Sequence, residues 1–126
     1  MSWQSYVDTN LIGSGRVTQA AILGLAGGVW ATSAGFNITP EEQKAIVDGF
    51  NNPAQVQASG LRIAGEKYFT LQATPQNIYL KKAADGGVVV KTTQAVLVAI
   101  YKAPIQQSET TVVVEGLGDY LRSVNY

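Results

Sequence analysis

The chain has 126 residues, 46% of them apolar, a length and composition that suit one folded domain with its own core and exclude a disordered segment. Nine basic and nine acidic residues cancel, so no global field draws the protein to nucleic acid. It has no cysteine and no histidine, which excludes disulfides and thiol nucleophiles and removes the commonest zinc ligand and general base.

In chain order, Ser2 is placed to cap a first helix that runs to about Asn10–Ile12 and stops at Gly13-Ser14-Gly15. On it Trp3, Tyr6 and Asn10 share one face, with Val7 and Leu11 as an adjacent apolar stripe. Gln19–Leu25 and Val29–Ser33 read as two strands of a hairpin turning at Gly27-Gly28. Thr39-Pro40-Glu41-Glu42 is a helix start with Thr39 as N-cap, Pro40 at N1 and Glu42 completing a capping box. That helix buries Ile46, Val47 and Phe50 and ends at Asn51-Asn52-Pro53, before a short helical turn at 54–58. From Gly60 the period changes. Leu61–Ala64, Lys67–Ala73, Asn77–Lys82, Gly87–Lys91 and Ala95–Tyr101 are five short strands whose brief connections make an antiparallel meander. In the last segment β-branched Thr110–Val114 and two glycines oppose a helix. Val113, Leu117, Leu121 and Val124 recur at helical spacing, with Ser108 as a cap, and favour one.

The expected fold is α/β of the α+β type, one domain over residues 1–126. A central antiparallel sheet carries the terminal helices on one face and one or two short helices on the other. The longest apolar run, Ala95–Tyr101, is far short of a membrane span, and no signal peptide is visible at the N-terminus.

Catalysis finds little support. Without Cys or His a nucleophile would have to be Ser, Thr or Lys beside a carboxylate. The nine carboxylates are scattered, Glu41 and Glu42 serve a cap, and Asp85 serves a turn. Gly13-x-Gly15 lacks the third glycine of a dinucleotide fingerprint and follows a helix instead of a strand. We therefore expect no enzyme, no metal and no cofactor. A base-stacking sheet is disfavoured too, because adjacent Tyr68 and Phe69 face opposite ways and no nucleic-acid motif accompanies them.

An interaction module fits the residues better. Trp3 and Tyr6 stand at i, i+3 near one end, Tyr120 and Tyr126 near the other, and Trp30 follows the hairpin turn. If the terminal helices lie antiparallel over that strand, the five rings converge, with Tyr126 reaching in from the fraying end. Such a surface suits a proline-rich segment. A polyproline II strand offers flat rings and carbonyl acceptors but no proline N–H donors, while indole N–H and phenol O–H are donors.

The stretches MSWQSYVDTNLIGSG at the start, VWATSAGF at 29–36, YFTLQATPQNIYLKK at 68–82 and GLGDYLRSVNY at the end resemble the profilins, most closely those of amoebae, slime moulds and fungi. The resemblance covers nearly the whole chain. It implies a C-terminal helix packed beside the N-terminal one, and a proline-rich-segment site at Trp3, Tyr6, Trp30, Tyr120 and Tyr126 that serves partners such as formins. It also implies a cytoplasmic protein of the cytoskeleton that binds monomeric actin. By alignment its contacts would be Lys67, Phe69, Gln72, Leu80, Lys81, Lys82, Lys91, Ile105, Thr111, Val112 and Gly116. Phosphatidylinositol bisphosphate binding, a further family activity, would use Lys81, Lys82 and Lys91. The sequence departs from the family pattern at Gln72 and Gln76, commonly arginine, at Leu80, commonly glycine, and at Gly116 and Gln107-Ser108. The missing guanidinium groups raise an alternative, an adaptor for proline-rich peptides with weakened actin and phosphoinositide binding.

Overall fold

A computed structural model describes residues 2–126. Seven antiparallel strands form one sheet in the order β2-β1-β7-β6-β5-β4-β3. In chain order they are β1 (Gln19–Gly24), β2 (Val29–Thr32), β3 (Leu61–Ile63), β4 (Glu66–Ala73), β5 (Asn77–Lys82), β6 (Asp85–Lys91) and β7 (Ala95–Tyr101). The helices are α1 at the N-terminus, α2 (Pro40–Gly49), α3 (Pro53–Ser59) and α4 (Gln107–Ser123).

Strand alternation divides the apolar residues between two cores. Ala21, Leu23, Ile78, Leu80, Val89, Val98 and Ile100 pack under α2 and α3 with Ile46, Phe50 and Val56. Their neighbours Ala20, Ile22, Val88, Val90, Leu97 and Ala99 pack under α1 and α4 with Val7, Leu11, Val114, Leu117 and Leu121. This is the expected layering of terminal helices on one face and short helices on the other.

Local detail differs in four places. First, α1 is regular only over Trp3–Ser5, capped by the Ser2 side chain, then widens into a π-helix at Tyr6–Leu11 and closes in a 3₁₀ turn at Ile12–Ser14. No glycine or proline marks Tyr6–Leu11, and its two buried side chains, Val7 and Leu11, are what fasten it to the sheet. Second, Asn51-Asn52-Pro53 is a junction, because Pro53 opens α3 as its N1 residue. Third, β6 begins at Asp85 instead of Gly87. Fourth, α4 starts one residue before Ser108, and the Gln106 N–H donates to Glu109 Oε1 at 3.2 Å to close its first turn.

The Thr39–Glu42 capping box is present, and Glu42 does more than cap. Its Oε1 accepts from the Thr39 and Ala64 N–H groups, both at 3.0 Å, and its Oε2 from the Gly65 N–H at 2.9 Å. This buried carboxylate joins the start of α2 to the β3–β4 turn.

Candidate functional site

Trp30 owes its position to an irregularity. In the β1–β2 ladder Ile22 pairs with Ala31 and Leu23 with Val29, leaving Trp30 as the extra residue of a bulge. Ala31 is buried on the α1 side, so plain alternation would aim Trp30 at the opposite face. The bulge turns it back to the α1 side. There its indole lies over Gly24, where an added Cβ would sit 2.6 Å from Nε1.

The other rings gather on it. Trp3 is central, with ring centroids 4.7 Å from Trp30, 5.6 Å from Tyr6 and 5.3 Å from Tyr126, the last edge-on. Tyr6 carries the cluster on to Tyr120 at 6.3 Å. These separations suit tilted aromatic pairs. Trp30, Tyr120 and Tyr126 stay 37%, 50% and 45% exposed, so the cluster is a surface and not a core. Tyr126 does not reach in from a frayed end. Asn125 adopts a left-handed φ of 68°, and the Tyr126 N–H returns to the Leu121 carbonyl at 2.8 Å. The Tyr126 main-chain oxygen accepts from Thr92 Oγ1 at 2.6 Å and from the Gln94 N–H at 2.5 Å. The β6–β7 turn thus clamps the chain and presents the ring.

A groove of about 270 Å³ lined by Tyr6, Asn10, Gly116, Leu117 and Tyr120 extends the cluster between α1 and α4. Burial, then the Tyr120 and Tyr126 phenols, raises the Tyr6 pKa above its ordinary value, so this hydroxyl, a donor at neutral pH like any tyrosine, keeps its proton further into alkaline pH. The arrangement can stack flat apolar rings and donate hydrogen bonds to acceptors between them.

Beyond α4 the same side of the sheet is uncovered. Phe69 lies there opposite Lys81, and Lys67 shares its side by alternation. Tyr68 between them is buried, while Phe69 is 69% exposed. Leu71 enters through a second bulge in β4 and joins Phe69 and Val112 as a large exposed apolar residue. Tyr79 Oη and Asn77 Nδ2 donate to Glu115 Oε2 at 3.1 and 3.3 Å, tying α4 to this surface. Asn77 Oδ1 in turn accepts from Gln72 Nε2 at 3.4 Å. Thr111 is half-buried on α4, and Ile105 is half-buried in the turn before it.

Four aligned positions depart from this surface. Leu80 is fully buried in the α2–α3 core, because β5 alternation sends Ile78 and Leu80 inward while Tyr79 and Lys81 face α4. It can touch no partner, and Leu71 takes its place as exposed apolar residue. Lys82, adjacent to Lys81, faces the other way and pairs with Glu66. Gly116 lines the aromatic groove. Lys91 is remote from Lys81: the β6 residue paired with Lys81 is Gly86, five positions from Lys91, about 16 Å at roughly 3.3 Å per residue and on the opposite face. One phosphoinositide headgroup cannot engage Lys81, Lys82 and Lys91 together. Lys91 instead borders a groove of about 320 Å³ with Pro75, Gln76, Thr92, Thr93 and Arg122. Among the described residues no set of three or more acidic side chains is placed to hold a metal ion, and no helix is long and apolar enough to cross a membrane.

Sequence reasoning passed over Gly24, Leu71, Thr92 and Glu115. Only Gly24 carried a usable signal, a glycine inside an apolar strand, which marks a close approach.

Fold and surface together define a helix-flanked antiparallel sheet with a terminal-helix aromatic platform. The family model described as Profilin matches residues 1–126. The chain is 52% identical over 121 residues to profilin-1A of Acanthamoeba castellanii, covering 96% of each, and 48% identical over 127 residues to profilin of Saccharomyces cerevisiae, covering all of both. The solved structure of Acanthamoeba castellanii profilin IA superposes with a TM-score of 0.96 at 50% identity, over 99% of this chain and all of that one. The chain belongs to the profilin family.

Proposed function

We propose that the protein is a non-enzymatic regulator of actin assembly that uses two surfaces and acts in the cytoplasm as a single profilin domain over residues 1–126. Trp3, Tyr6, Trp30, Tyr120 and Tyr126 bind proline-rich segments of partners such as formins. Lys67, Phe69, Leu71, Gln72, Lys81, Ile105, Thr111 and Val112 face monomeric actin. Bound there, the protein speeds nucleotide exchange on actin, bars spontaneous nucleation and delivers monomers to barbed ends.

The observation that carries this reading is the aromatic platform. Five rings from three separate elements meet at one exposed surface centred on Trp3. A core would have buried them, and terminal rings that merely anchor helices would not remain about half exposed. The β4–β5 surface supports the actin half, with apolar Phe69, Leu71 and Val112 beside Lys67 and Lys81, an apolar centre with a basic rim for an acidic partner. Since Gln72 bonds within the protein and Gln76 lies by Lys91, the phosphoinositide activity rests on a pair of separate basic sites. One is near Lys81; the other is near Lys91 and Arg122.

Titrating intrinsic tryptophan fluorescence with proline polymers of about ten residues tests the platform, because both tryptophans belong to it. A saturable change is expected. No response at any polymer concentration would overturn the assignment.

A further inference from the structure

The strand pair β3–β4 contains a contact that works against the fold. Arg62 stands directly opposite Lys67, and both are exposed. Like charges facing each other across an antiparallel pair are destabilising. Leu61 and Ile63 are buried in the α2–α3 core, so Arg62 projects from the other side of the sheet, the side that carries Phe69 and Lys81.

Only one of the two cations has found a partner within the protein. Lys67 Nζ donates to the main-chain oxygen of Ser59 at the C-terminal end of α3. Arg62 forms no ion pair and no side-chain hydrogen bond among the described residues. The one carboxylate on this strand pair, Glu66, stands opposite Ile63 on the other face and takes Lys82. A carboxylate at position 62 would have made a favourable pair with Lys67. A rule broken in this way without a compensating internal contact points to use by something outside the fold.

We infer that Arg62 is a partner-binding residue whose guanidinium takes a carboxylate of the actin monomer. It extends the Lys67–Phe69–Lys81 surface by one strand to the outer edge of the sheet. The inference rests on the reading that this surface faces actin. A guanidinium suits the role because its planar fork engages a carboxylate through two hydrogen bonds and is less strongly hydrated than an ammonium.

The test measures monomeric-actin binding and thermal unfolding of the full chain as parent, Arg62→Glu, Arg62→Gln, Phe69→Ala and Lys44→Glu. Lys44 is exposed on α2, on the opposite side of the sheet, and controls for net charge. Arg62→Glu is expected to unfold at the same temperature as the parent or higher, and to bind actin about tenfold more weakly at low salt. Arg62→Gln should lie between the two, Lys44→Glu should bind as the parent does, and proline-polymer binding should be unchanged throughout. Parental actin affinity in Arg62→Glu, alongside weakened Phe69→Ala, would remove Arg62 from a surface that otherwise stands. A lower unfolding temperature for Arg62→Glu would refute the argument from like charges. An actin-binding parent whose affinity Phe69→Ala leaves intact, or a parent that does not bind actin, would overturn the surface assignment and this inference with it.

Discussion

Gly24→Ala isolates the gap in which Trp30 is seated on the α1 side. The new Cβ would lie 2.6 Å from Trp30 Nε1, 2.9 Å from its Cε2 and 3.0 Å from the Gly27 carbonyl oxygen. Ordinary contacts between such atoms fall at about 3.5–4.0 Å, so the indole must retreat by roughly 1 Å. Gly24 is not among the glycines with a left-handed φ, so alanine meets no backbone strain, and the loss of glycine's freedom in the unfolded chain offsets part of any repacking cost. The retreat disturbs the 4.7 Å Trp3–Trp30 pair. Such a pair contributes about 0.5–1.5 kcal/mol beyond its buried area, so proline-polymer affinity should fall about three- to tenfold while the fold persists. Fluorescence titration reads the affinity, near-ultraviolet circular dichroism reads the coupling of the two indoles, and urea unfolding reads the fold. Parental affinity with an unchanged aromatic dichroism signal would refute the idea that the Gly24 gap seats Trp30.

Trp3→Ala removes the central ring and should cost about 2 kcal/mol or more in proline-polymer binding, roughly thirtyfold by the same titration. Glu42→Gln keeps an acceptor for Thr39 and Ala64 but turns an amide N–H toward the Gly65 N–H. The loss should be about 2 kcal/mol in urea unfolding, and an unchanged midpoint would show that the carboxylate does not join α2 to the β3–β4 turn. Burial raises the pKa values of Tyr6, Tyr68, Tyr79 and Tyr101, with help from Tyr120 and Tyr126 at Tyr6, from Asp85 at Tyr68 and Tyr101, and from Glu115 at Tyr79. A tyrosine held protonated by folding contributes stability that is fully present below its unfolded pKa of about 10 and is lost as pH rises through the folded value. Unfolding free energy measured against pH should therefore fall above about pH 10, and proline binding should be the same at pH 7 and pH 9.

The layering and all seven strands were legible, with β6 misplaced only at its start, because their signals are local. Period-two alternation, short turns and a Thr-Pro-Glu-Glu helix start leave few alternatives. The convergence of Trp3 and Tyr6 followed from helical spacing, but the facing of Trp30 did not. Its side depends on a one-residue bulge, which no spacing announces and which reverses every inference from alternation. The widening of α1 at Tyr6–Leu11 is likewise unmarked by residue type. Leu80 and Lys82 are a different matter. Strand alternation already separates them from Lys81, as it separates Tyr68 from Phe69, and the transfer of aligned positions overrode that local rule. The clamp on Tyr126 combines a left-handed Asn125 with Thr92, 34 residues before Tyr126. The asparagine is a recognisable helix-stop residue, while the threonine can be found only in three dimensions.

The claim that two separate surfaces serve actin and proline-rich partners is tested most directly by sedimentation of the protein with monomeric actin and a labelled proline-rich peptide. The aromatic platform and the β4–β5 surface lie on opposite flanks of α4, so all three components should travel as one ternary complex, with neither ligand displacing the other. Release of the labelled peptide as actin is added, or of actin as peptide is added, would contradict the account.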